Sequence, residues 1–575
     1  MKPRLMDCAT FRLSTDSAKS TCAYSSRSTT YVIIISLFII GGGLGQTPKK
    51  PYVPQILRGK KVPTQSVKDY GATGNGQAVF DAAITAGTGT LNTNSATFTP
   101  ADVGKLFDLN GAGTSSCGQE YWGITGVKMN CNLVGTIRGY IDAHDVTLSV
   151  NAGTSVTSAQ FKWGTDDTNA LKAALAALNA PSGPGTLYFP SGNYCVRSKL
   201  QYTFVDKTLL GDGEWQSNLW QMNVVAYQSS GTYQMLTVDN GTNGLTISRL
   251  GFEGSNQNGQ LTSSGVATDD GVLVCSGSPR GLGGLCNSSS GISNILVENS
   301  RFDHFWGIGF HIPGTGTAAG QQVNNVTITD SLAEWNSADG FNPSVYDGLV
   351  MIGDIGTNNG TGGVEATAVL NQKIAINRFA YNKVCGMAIG GFRNPTIGRS
   401  AMIGGNTVYM NGSGSASSTL GYGIIIGANQ QGALVTGNIV KQNSLQGIVV
   451  VNARGATLSK NIQITRNYVS SNGLNPYTSG SAPVGIYVAV SDVTVGQNTV
   501  IDEGLAGYRQ GWGIQVGSNL NDIIIDPNYV RAPGHAYYVG SGLTNSSYRD
   551  PVTYSNNVIE TPGLTGQSAS DRLRK

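Results

Sequence analysis

The sequence predicts an all-β fold, a parallel β-helix in which short strands wind into stacked coils. Two observations lead to this prediction: the composition suits a β-rich globular protein, and a unit of about thirty residues repeats along the chain. Of the 575 residues, 12% are charged, 39% are hydrophobic and 79 are glycine. This composition provides a large core with many turns and excludes intrinsic disorder. A formal net charge of +3 gives no reason to expect a nucleic-acid partner.

The repeat has two parts. One is a Gly-apolar-x-apolar segment such as "GIII" at Gly423, and the other is an Asn-x-Val/Ile triplet. The triplet begins at Asn406, Asn438, Asn467, Asn498, Asn528 and Asn557. Short alternating segments between Gly and Asn turns predict strands, and one such unit cannot bury its apolar face alone. Coils stacked about 4.8 Å apart can bury it, and their asparagine amides would then hydrogen-bond along the axis. A β-propeller, the antiparallel alternative, would need about 40–50 residues per blade, and the interval of about thirty residues is too short for it.

The N-terminus carries one apolar run, "YVIIISLFIIGGGLG" (31–45). Its strongly apolar part is too short to span a bilayer, so residues 1–45 are predicted to be a signal peptide, with an uncleaved anchor as the alternative. Residues 46–66 would then form a linker. We expect a secreted, extracellular or periplasmic protein that has no membrane contact after cleavage.

Six cysteines follow the predicted cleavage site. Cys117 lies close to Cys131, and Cys275 lies close to Cys286, so each pair is predicted to close a loop as a disulfide in an exported protein. No CxxC or Cys/His spacing indicates zinc. With four histidines in the chain, a His-rich metal site is not expected.

One segment has helical periodicity, "GTDDTNALKAALAALN" (164–179). Its apolar stripe consists of Ala170, Leu171, Ala174, Leu175 and Leu178. Asp166 and Asp167 stand at the start, where carboxylates cap free N–H groups, so they are interpreted as caps and not as catalytic residues. The next stretch, "GTLYFPSGNYCV" (185–196), predicts strand, turn and strand.

These two stretches, preceded by "VKDYGATGNGQ" (67–77) and followed by "LLGDGEWQSNLW" (209–220), resemble the opening of the pectate-lyase-like superfamily of right-handed parallel β-helix proteins. The resemblance covers roughly residues 67–560 and implies a right-handed solenoid whose open end is capped by the helix. Residues 78–163 interrupt the motif and are interpreted as an inserted β subdomain, while 561–575 form a C-terminal tail. Superfamily members are mostly polysaccharide hydrolases, lyases and epimerases, with some phage tailspikes. The resemblance therefore implies a glycan partner, and a monomer or, as in tailspikes, a homotrimer.

Charge is distributed unevenly along the repeats. Residues 269–365 contain ten acidic residues and two basic ones, whereas residues 366–491 contain nine basic residues and no Asp or Glu. Stacking converts sequence order into position along the axis, so an acidic zone should adjoin a basic one. This pattern indicates an acid/base site bordered by cationic subsites for an anionic sugar chain, with chance clustering of surface charge as the alternative.

Aligning the coils on the glycine of the Gly-apolar segment places Asp270, Trp306 and Asp339 at equivalent positions. Asp270 and Asp339 would lie two coils apart, roughly 10 Å between Cα atoms. Inverting glycosidases hold their carboxyl groups roughly 6.5–9.5 Å apart. We therefore predict that Asp339 protonates the leaving oxygen and Asp270 activates water. A turn Asp before Gly is the structural alternative for Asp339.

Other candidates are assigned by residue type. Further catalytic candidates, which could tune a pKa or replace one member of the pair, are Asp269, Asp303 and His304. Candidates for substrate binding are Trp306, Trp335, His311 and Arg393. No cofactor is expected for a hydrolase, although the clustered acids could bind Ca²⁺ if the protein were a lyase, in which Arg393 would take the proton beside a uronate.

The stretch "WNSADGFNP" (335–343) also resembles the Asn-Thr-Asp-Gly motif of the polygalacturonases, glycoside hydrolase family 28, with Asp339 at the general-acid position. It departs from that motif by an extra residue between Asn336 and Asp339, and no Gly-His-Gly or Arg-Ile-Lys motif follows. The sequence thus favours a secreted polysaccharide hydrolase. A lyase acting on a uronate-containing glycan and a non-catalytic, glycan-binding or adhesive β-helix are the alternatives.

Overall fold

The computed structural model describes residues 64–560 except for fourteen short stretches. These stretches are 114–131, 223–233, 257–269, 275–290, 314–321, 391–397, 413–420, 428–429, 453–458, 474–482, 509, 532–534, 549–551 and 554–558. All described residues belong to the second of the two units of the chain, Lys50–Lys575. Within these ranges, no helix is long and apolar enough to cross a membrane.

Several predictions fall outside the described residues. They concern the signal peptide, most of the linker and the tail, the cysteines Cys117, Cys131, Cys275 and Cys286, and the site candidates Asp269 and Arg393. The two remaining cysteines, Cys195 and Cys385, are buried and free.

Three long sheets of parallel strands wind around a common core, which confirms the predicted all-β parallel β-helix. Sheet 1 consists of Thr64–Ser66, Gly185–Phe189, Val205–Gly211, Asn243–Ser248, Ile292–Glu298, Val323–Thr329, Gly398–Gly404, Gln430–Thr436, Lys460–Thr465, Val493–Gly496, Ile523–Ile525 and Ser547–Tyr548. Sheet 2 consists of Gly192–Val196, Ser217–Gln221, Gly251–Glu253, Arg301–Asp303, Leu332–Glu334, Ile355–Thr357, Arg378–Ala380, Thr407–Tyr409, Ile439–Lys441, Tyr468–Ser470, Thr499–Ile501, Tyr529–Arg531 and Val552–Thr553. Sheet 3 consists of Leu200–Tyr202, Leu236–Val238, Val272–Val274, Phe310–Ile312, Cys385–Ile389, Tyr422–Ile426, Ile448–Val450, Val484–Val488, Trp512–Val516, His535–Val539 and Ile559–Glu560.

Two strands are unusually long. Phe341–Ile352 and Gly362–Ala375 each begin in sheet 3 and continue into sheet 1 without a turn. The coils that contain them are correspondingly short, and Asp354 and Asn377 occupy equivalent positions only 23 residues apart. The repeat pattern in the sequence did not reveal these two short coils, because each runs from sheet 3 into sheet 1 without a loop.

The core is formed by the inward-facing residue of each strand. In sheet 2, the middle residues of successive three-residue strands point inward, and Phe252, Phe302, Phe379 and Val408 are buried. The rings of Phe252 and Phe302 stack at 5.3 Å between centroids. Because each side chain packs on its equivalents in the coils before and after, the apolar surface of a coil is buried only within the stack.

The asparagines of the Asn-x-Val triplets form a buried ladder at the corner between sheets 1 and 2. Oδ1 of Asn467, for example, accepts from the main-chain N–H of Asn438 at 3.0 Å and from its Nδ2 at 2.9 Å. The ladder members in the described residues are Asn377, Asn406, Asn438, Asn467, Asn498 and Asn528. The predicted hydrogen bonding along the axis is therefore present.

A second ladder, which the sequence did not predict, lies at the corner between sheets 2 and 3. Its members are Asn336, Asn359, Asn382, Asn411, Asn443 and Asn472. Each amide hydrogen-bonds to the next in the same way, so the asparagine side chains of both ladders are satisfied by neighbouring coils.

The predicted helix begins later than expected, at Thr168, and ends at Asn179. Its buried residues include Leu171 and Leu175, and it packs against the first strands of the solenoid. Asp167 does not cap it. The Asp167 carboxylate accepts instead from the backbone N–H groups of Thr73 at 2.6 Å and Gly74 at 3.1 Å. The interpretation of Asp167 as a capping side chain was therefore wrong, because the carboxylate holds the 67–77 segment against the helix start.

A separate antiparallel sheet precedes this helix. It closes on itself and has its own core, which includes Phe107, Phe161 and Trp163. Its strands are Gln77–Ile84, Thr90–Asn92, Leu106–Leu109, Leu133–Tyr140, Asp145–Leu148 and Val156–Gly164. The 3₁₀ helix Pro100–Asp102 lies within this region, whereas a second one, Val67–Tyr70, precedes it and packs Val67 into the solenoid core. These strands lie in the segment interpreted as an inserted subdomain, and they contact the solenoid near Cys195 and Trp220.

One position of the first ladder is acidic. Asp354 is fully buried, accepts from the Ser331 N–H at 3.0 Å and donates its own N–H to Asn377 at 2.8 Å. Burial raises the pKa of Asp354 well above its ordinary value. Burial thus favours the neutral form of the carboxyl group, which resembles the asparagine side chains of the same ladder.

We expect Asp354→Asn to stabilise the protein, increasingly so as the pH rises. The unfolded chain ionises Asp354 above about pH 3.8 while the folded protein keeps the proton, so wild-type stability falls with pH up to the raised pKa. The free energy of unfolding from urea denaturation at pH 4 and pH 8 measures this, with a gain of about 1–3 kcal/mol expected at pH 8. The matched variant Asn438→Asp should show the opposite trend, and a pH-independent difference for Asp354→Asn would contradict the assignment.

Candidate active site

Asp270 and Asp339 lie on one line of sheet 3. Strand pairing aligns Val272 with Phe310 and Phe310 with Phe341, which puts both aspartates two residues before an aligned inward position. They are separated by one intervening coil, which corresponds to roughly 10 Å between Cα atoms. Both residues are buried, at 2% and 5% exposure.

The residue between them is not Trp306 but Ile308. The repeat pattern aligned Gly307 with Gly271, whereas the strand register aligns Gly309 with Gly271. Trp306 lies in the corner that precedes the strand and is only 5% exposed. Its assignment as a sugar-stacking residue was therefore wrong, because almost no ring surface is available.

Three groups donate hydrogen bonds to the Asp339 carboxylate. They are the Thr361 hydroxyl, the Gly362 N–H at 2.8 Å and the Asn342 Nδ2 at 2.9 Å. Gly362 leaves room for the carboxylate, since a Cβ there would lie 3.0 Å from Asp339 Oδ1. Toward these three neighbours the Asp339 carboxyl group acts as an acceptor.

Asp270 is paired with a histidine. Its Oδ1 accepts from the Ile308 N–H at 3.0 Å, and its Oδ2 lies 2.8 Å from Nδ1 of His311. When Nδ1 carries the proton, Nε2 of His311 remains the ring atom that can take up or release a proton. His311 pairs with Asn342, whose Nδ2 bonds to Asp339, so the histidine lies on the coil between the coils of the two aspartates.

The polar line continues beyond Asn342 to Glu365, because Phe341 pairs with Val364. Burial, followed by the charges of Asp339 and Glu365, raises the pKa of the Cys385 thiol well above its ordinary value. Cys385 is therefore a neutral thiol beside the carboxylates. Glu365 was counted in the acidic zone from the sequence, but neither it nor Thr361 was assigned to the site, because the position of the next coil relative to Asp339 depends on a 23-residue spacing. Asn342, three residues after Asp339 in the same coil, was also not assigned to the site.

Asp303 and His304 belong to a different cluster on sheet 2. Arg301 forms ion pairs with Asp303 and, at 3.3 Å, with Glu253, and Glu253 also pairs with Lys162 of the antiparallel sheet at 2.6 Å. His304 Nδ1 lies 3.0 Å from Asp303. The partners of Asp303 and His304 in the described residues are thus the members of this buried network, and neither residue bonds to Asp270 or Asp339.

The network shifts the pKa values of its acids in opposite directions. Burial would raise the pKa of Glu253, but the charges of Lys162 and Arg301 outweigh it and lower the pKa to about 2. Burial, together with the charge of Asp303, raises the pKa of Glu334, the equivalent of Asp303 in the next coil. Burial also raises the pKa of Asp108 to about 7 despite the nearby Lys162.

Two tryptophans flank this cluster with exposed rings. Trp335, a predicted substrate-binding residue, is 39% exposed, and Trp215 is 58% exposed. The Arg301 guanidinium carbon lies 4.1 Å from the Trp215 ring centroid. Across the described ranges, no group of three or more His, Cys, Asp or Glu residues is arranged to hold a metal ion.

Comparison with known proteins agrees with the fold. Residues 281–462 match the family model described as "Right handed beta helix region", so the predicted right-handed parallel β-helix is confirmed. These matches do not confirm the resemblance to glycoside hydrolase family 28. No match was found among curated proteins.

Solved structures with a similar chain path include two enzymes. The mannuronan C-5 epimerase AlgE4 A-module of Azotobacter vinelandii is 17% identical with a TM-score of 0.40, and the match covers 69% of this chain and 96% of that chain. The catalytic unit of the GH87 alpha-1,3-glucanase of Streptomyces thermodiastaticus strain HF3-3 is 14% identical with a TM-score of 0.35, covering 84% and 91%.

We expect Arg301→Met to destabilise the protein strongly. It removes one partner of Asp303 and one partner of Glu253 while both carboxylates stay buried, which typically costs about 3–5 kcal/mol of unfolding free energy. Chemical denaturation at pH 7 measures the loss. Arg378→Met is the matched control, because Arg378 is exposed and has no ion pair among the described residues, and it should change stability by less than about 0.5 kcal/mol. Equal effects of the two substitutions would contradict the structural role of the network.

Proposed function

We propose that this protein is a carbohydrate-active enzyme that hydrolyses a polysaccharide, using Asp270, His311 and Asp339 as its proton-transfer groups. One observation carries the proposal: two buried carboxylates share a line on sheet 3, two coils apart, and a histidine on the coil between them is hydrogen-bonded to Asp270. Hydrolysis of a glycosidic bond needs an acid for the leaving oxygen and a base for the attacking water on the other side of the sugar.

The hydrogen bonds assign the two roles. Asp270 orients His311 through Nδ1, and His311 delivers a proton to the leaving oxygen from Nε2. Asp339, which accepts three hydrogen bonds, remains a carboxylate and takes the proton of the attacking water. This reverses the roles expected from the sequence, because hydrogen-bond donors surround Asp339 while the histidine adjoins Asp270.

The glycan substrate rests on the resemblance of the opening motifs to the pectate-lyase-like superfamily, and the right-handed β-helix match supports it. Because the apolar run of residues 31–45 has the pattern of a signal peptide, we also propose that the protein is exported. Proton transfer by His311 and Asp339 requires no metal, so we propose that the enzyme works without a resident cofactor.

Asp339→Asn, Asp270→Asn and His311→Gln should each reduce turnover by about 10²–10⁴-fold while the fold is retained, since each removes a group that transfers a proton or orients one that does. Reducing-sugar release on a panel of neutral and acidic polysaccharides measures turnover. Asp347→Asn is the control, because Asp347 lies farther along the same strand as Asn342, in sheet 1, and bonds to Asn371.

The products separate the alternatives. Absorbance of an unsaturated uronate, recorded in parallel, would identify a lyase and overturn hydrolysis. Binding to a polysaccharide of the panel without any product would identify a glycan-binding protein. Full activity of Asp339→Asn on a cleaved substrate would remove Asp339 from the catalytic groups.

A further inference from the structure

Two glutamines of sheet 1 occupy positions that face the core of the solenoid. Strand pairing aligns Gln372 with the core residue Leu349 in the coil before it and with Ala401 in the coil after it. Gln430 is aligned with Gly398 in the coil before it. Both glutamines are buried, at 3% and 0% exposure. Two carboxamides therefore stand in an interior that is otherwise built of apolar side chains.

These carboxamides are not bonded as the ladder asparagines are. In the part of the chain that the structure describes, neither Oε1 nor Nε2 of Gln372 and of Gln430 has a hydrogen-bond partner. The hydroxyl of Ser459, which stands in the position of Gln430 one coil later, is also buried without a partner there. Buried polar groups are costly when unpaired. Five buried polar atoms on neighbouring coils thus need partners that the surrounding side chains and backbone do not supply.

The coil between the two glutamines has unusually small side chains. It carries Gly398, which precedes Gln430 in the stack, and Ala401, which follows Gln372. The next coil places a second alanine, Ala433, after Ala401. The other coils fill the position of these alanines with large apolar residues, namely Ile295, Val326, Leu349, Ile462, Val493 and Ile523. Glycine and alanine at this point leave space beside the two amides.

The charge of this region determines which kind of molecule suits the space. The sequence has no Asp or Glu between residues 366 and 491, so a cation bound inside these coils would lack a counter-charge from them. The basic neighbours Arg399 and Lys460 are exposed and do not offer their charge to the interior. An amide and a hydroxyl are neutral, and each both donates and accepts hydrogen bonds. They therefore match a small neutral molecule that does the same.

We propose that Gln372, Gln430 and Ser459 bind ordered water molecules inside the solenoid, in the space beside Gly398 and Ala401. A buried water typically makes about three hydrogen bonds to groups that would otherwise be unpaired, whereas an apolar cavity stays dry. The waters would connect successive coils at the start of sheet 1, as the asparagine ladders connect them at the other two corners. The site is independent of the proposed catalytic groups, because none of its residues lies on the line of Asp270 and Asp339.

A high-resolution crystal structure of the full chain tests the site directly. We expect electron density for at least two water molecules within about 3.2 Å of the amide atoms of Gln372 or Gln430. Amides that bond to protein groups instead, or a space beside Ala401 without density, would overturn the proposal. Density with the coordination of a metal ion would overturn the assignment to a neutral molecule.

Thermal melting of variants tests the site in solution. Gln372→Leu and Gln430→Leu should each lower the melting temperature by about 1–3 °C, because the waters lose a partner. The double variant should lose less than the sum of the two, since one shared set of waters is disrupted only once. Gln463→Leu is the matched control, because Gln463 is exposed on the next strand of the same sheet, and its melting temperature should equal that of the parent.

Filling the space gives a result of opposite sign for a wet and a dry interior. Ala401→Leu introduces the side chain that the same position has at Leu349. It should lower the melting temperature by displacing waters from the amides, whereas the same substitution would raise it in a dry cavity. A higher melting temperature for Ala401→Leu, Gln372→Leu or Gln430→Leu would overturn the hydrated site, and so would strictly additive losses in the double variant.

Discussion

The whole structure depends on hydrogen bonding between successive coils. At both corners flanking sheet 2, a buried asparagine amide accepts from the N–H and side chain of its equivalent in the coil before. An unpaired amide in this apolar interior would be costly, so each coil is satisfied only when the next is in register. Once the register between coils is fixed, the position of every other side chain relative to the neighbouring coils follows.

Asp270 and Asp339, which share one line on sheet 3, are held by the same kind of hydrogen bond between coils. Asp270 and Asp339 each accept the main-chain N–H of the equivalent residue one coil on, Ile308 and Gly362. These bonds hold the carboxylates in fixed positions on a rigid sheet, which suits groups that must act on a substrate without reorganising. These two aspartates differ from the ladder asparagines in one respect. The Oδ2 atom of Asp270 contacts His311, and the Oδ2 atom of Asp339 contacts Asn342, whereas the second amide atom of a ladder asparagine bonds to buried backbone.

The sequence predicted those features that repeat or are local. The glycine and asparagine intervals predicted stacked coils, and helical periodicity identified the helix within four residues of its start. The alignment on glycines also placed Asp270 and Asp339 on one line. It failed at Trp306, because "GIGF" offers two glycines and only strand pairing decides between them. It could not anticipate Lys162 beside Glu253, since residues 91 positions apart meet through packing of the antiparallel sheet, for which no repeat gives a register.

The 23-residue spacing between Asp354 and Asn377 is close to the shortest circuit of the solenoid among the described strands, where Tyr537 pairs with Ile559 only 22 residues later. Residues in excess of that length can only bulge outward, so insertions change the surface without altering the interior. A whole coil can be added or removed while the remaining coils keep their packing. The solenoid is consequently a molecular ruler, on which the distance between any two surface groups changes in increments of about 4.8 Å.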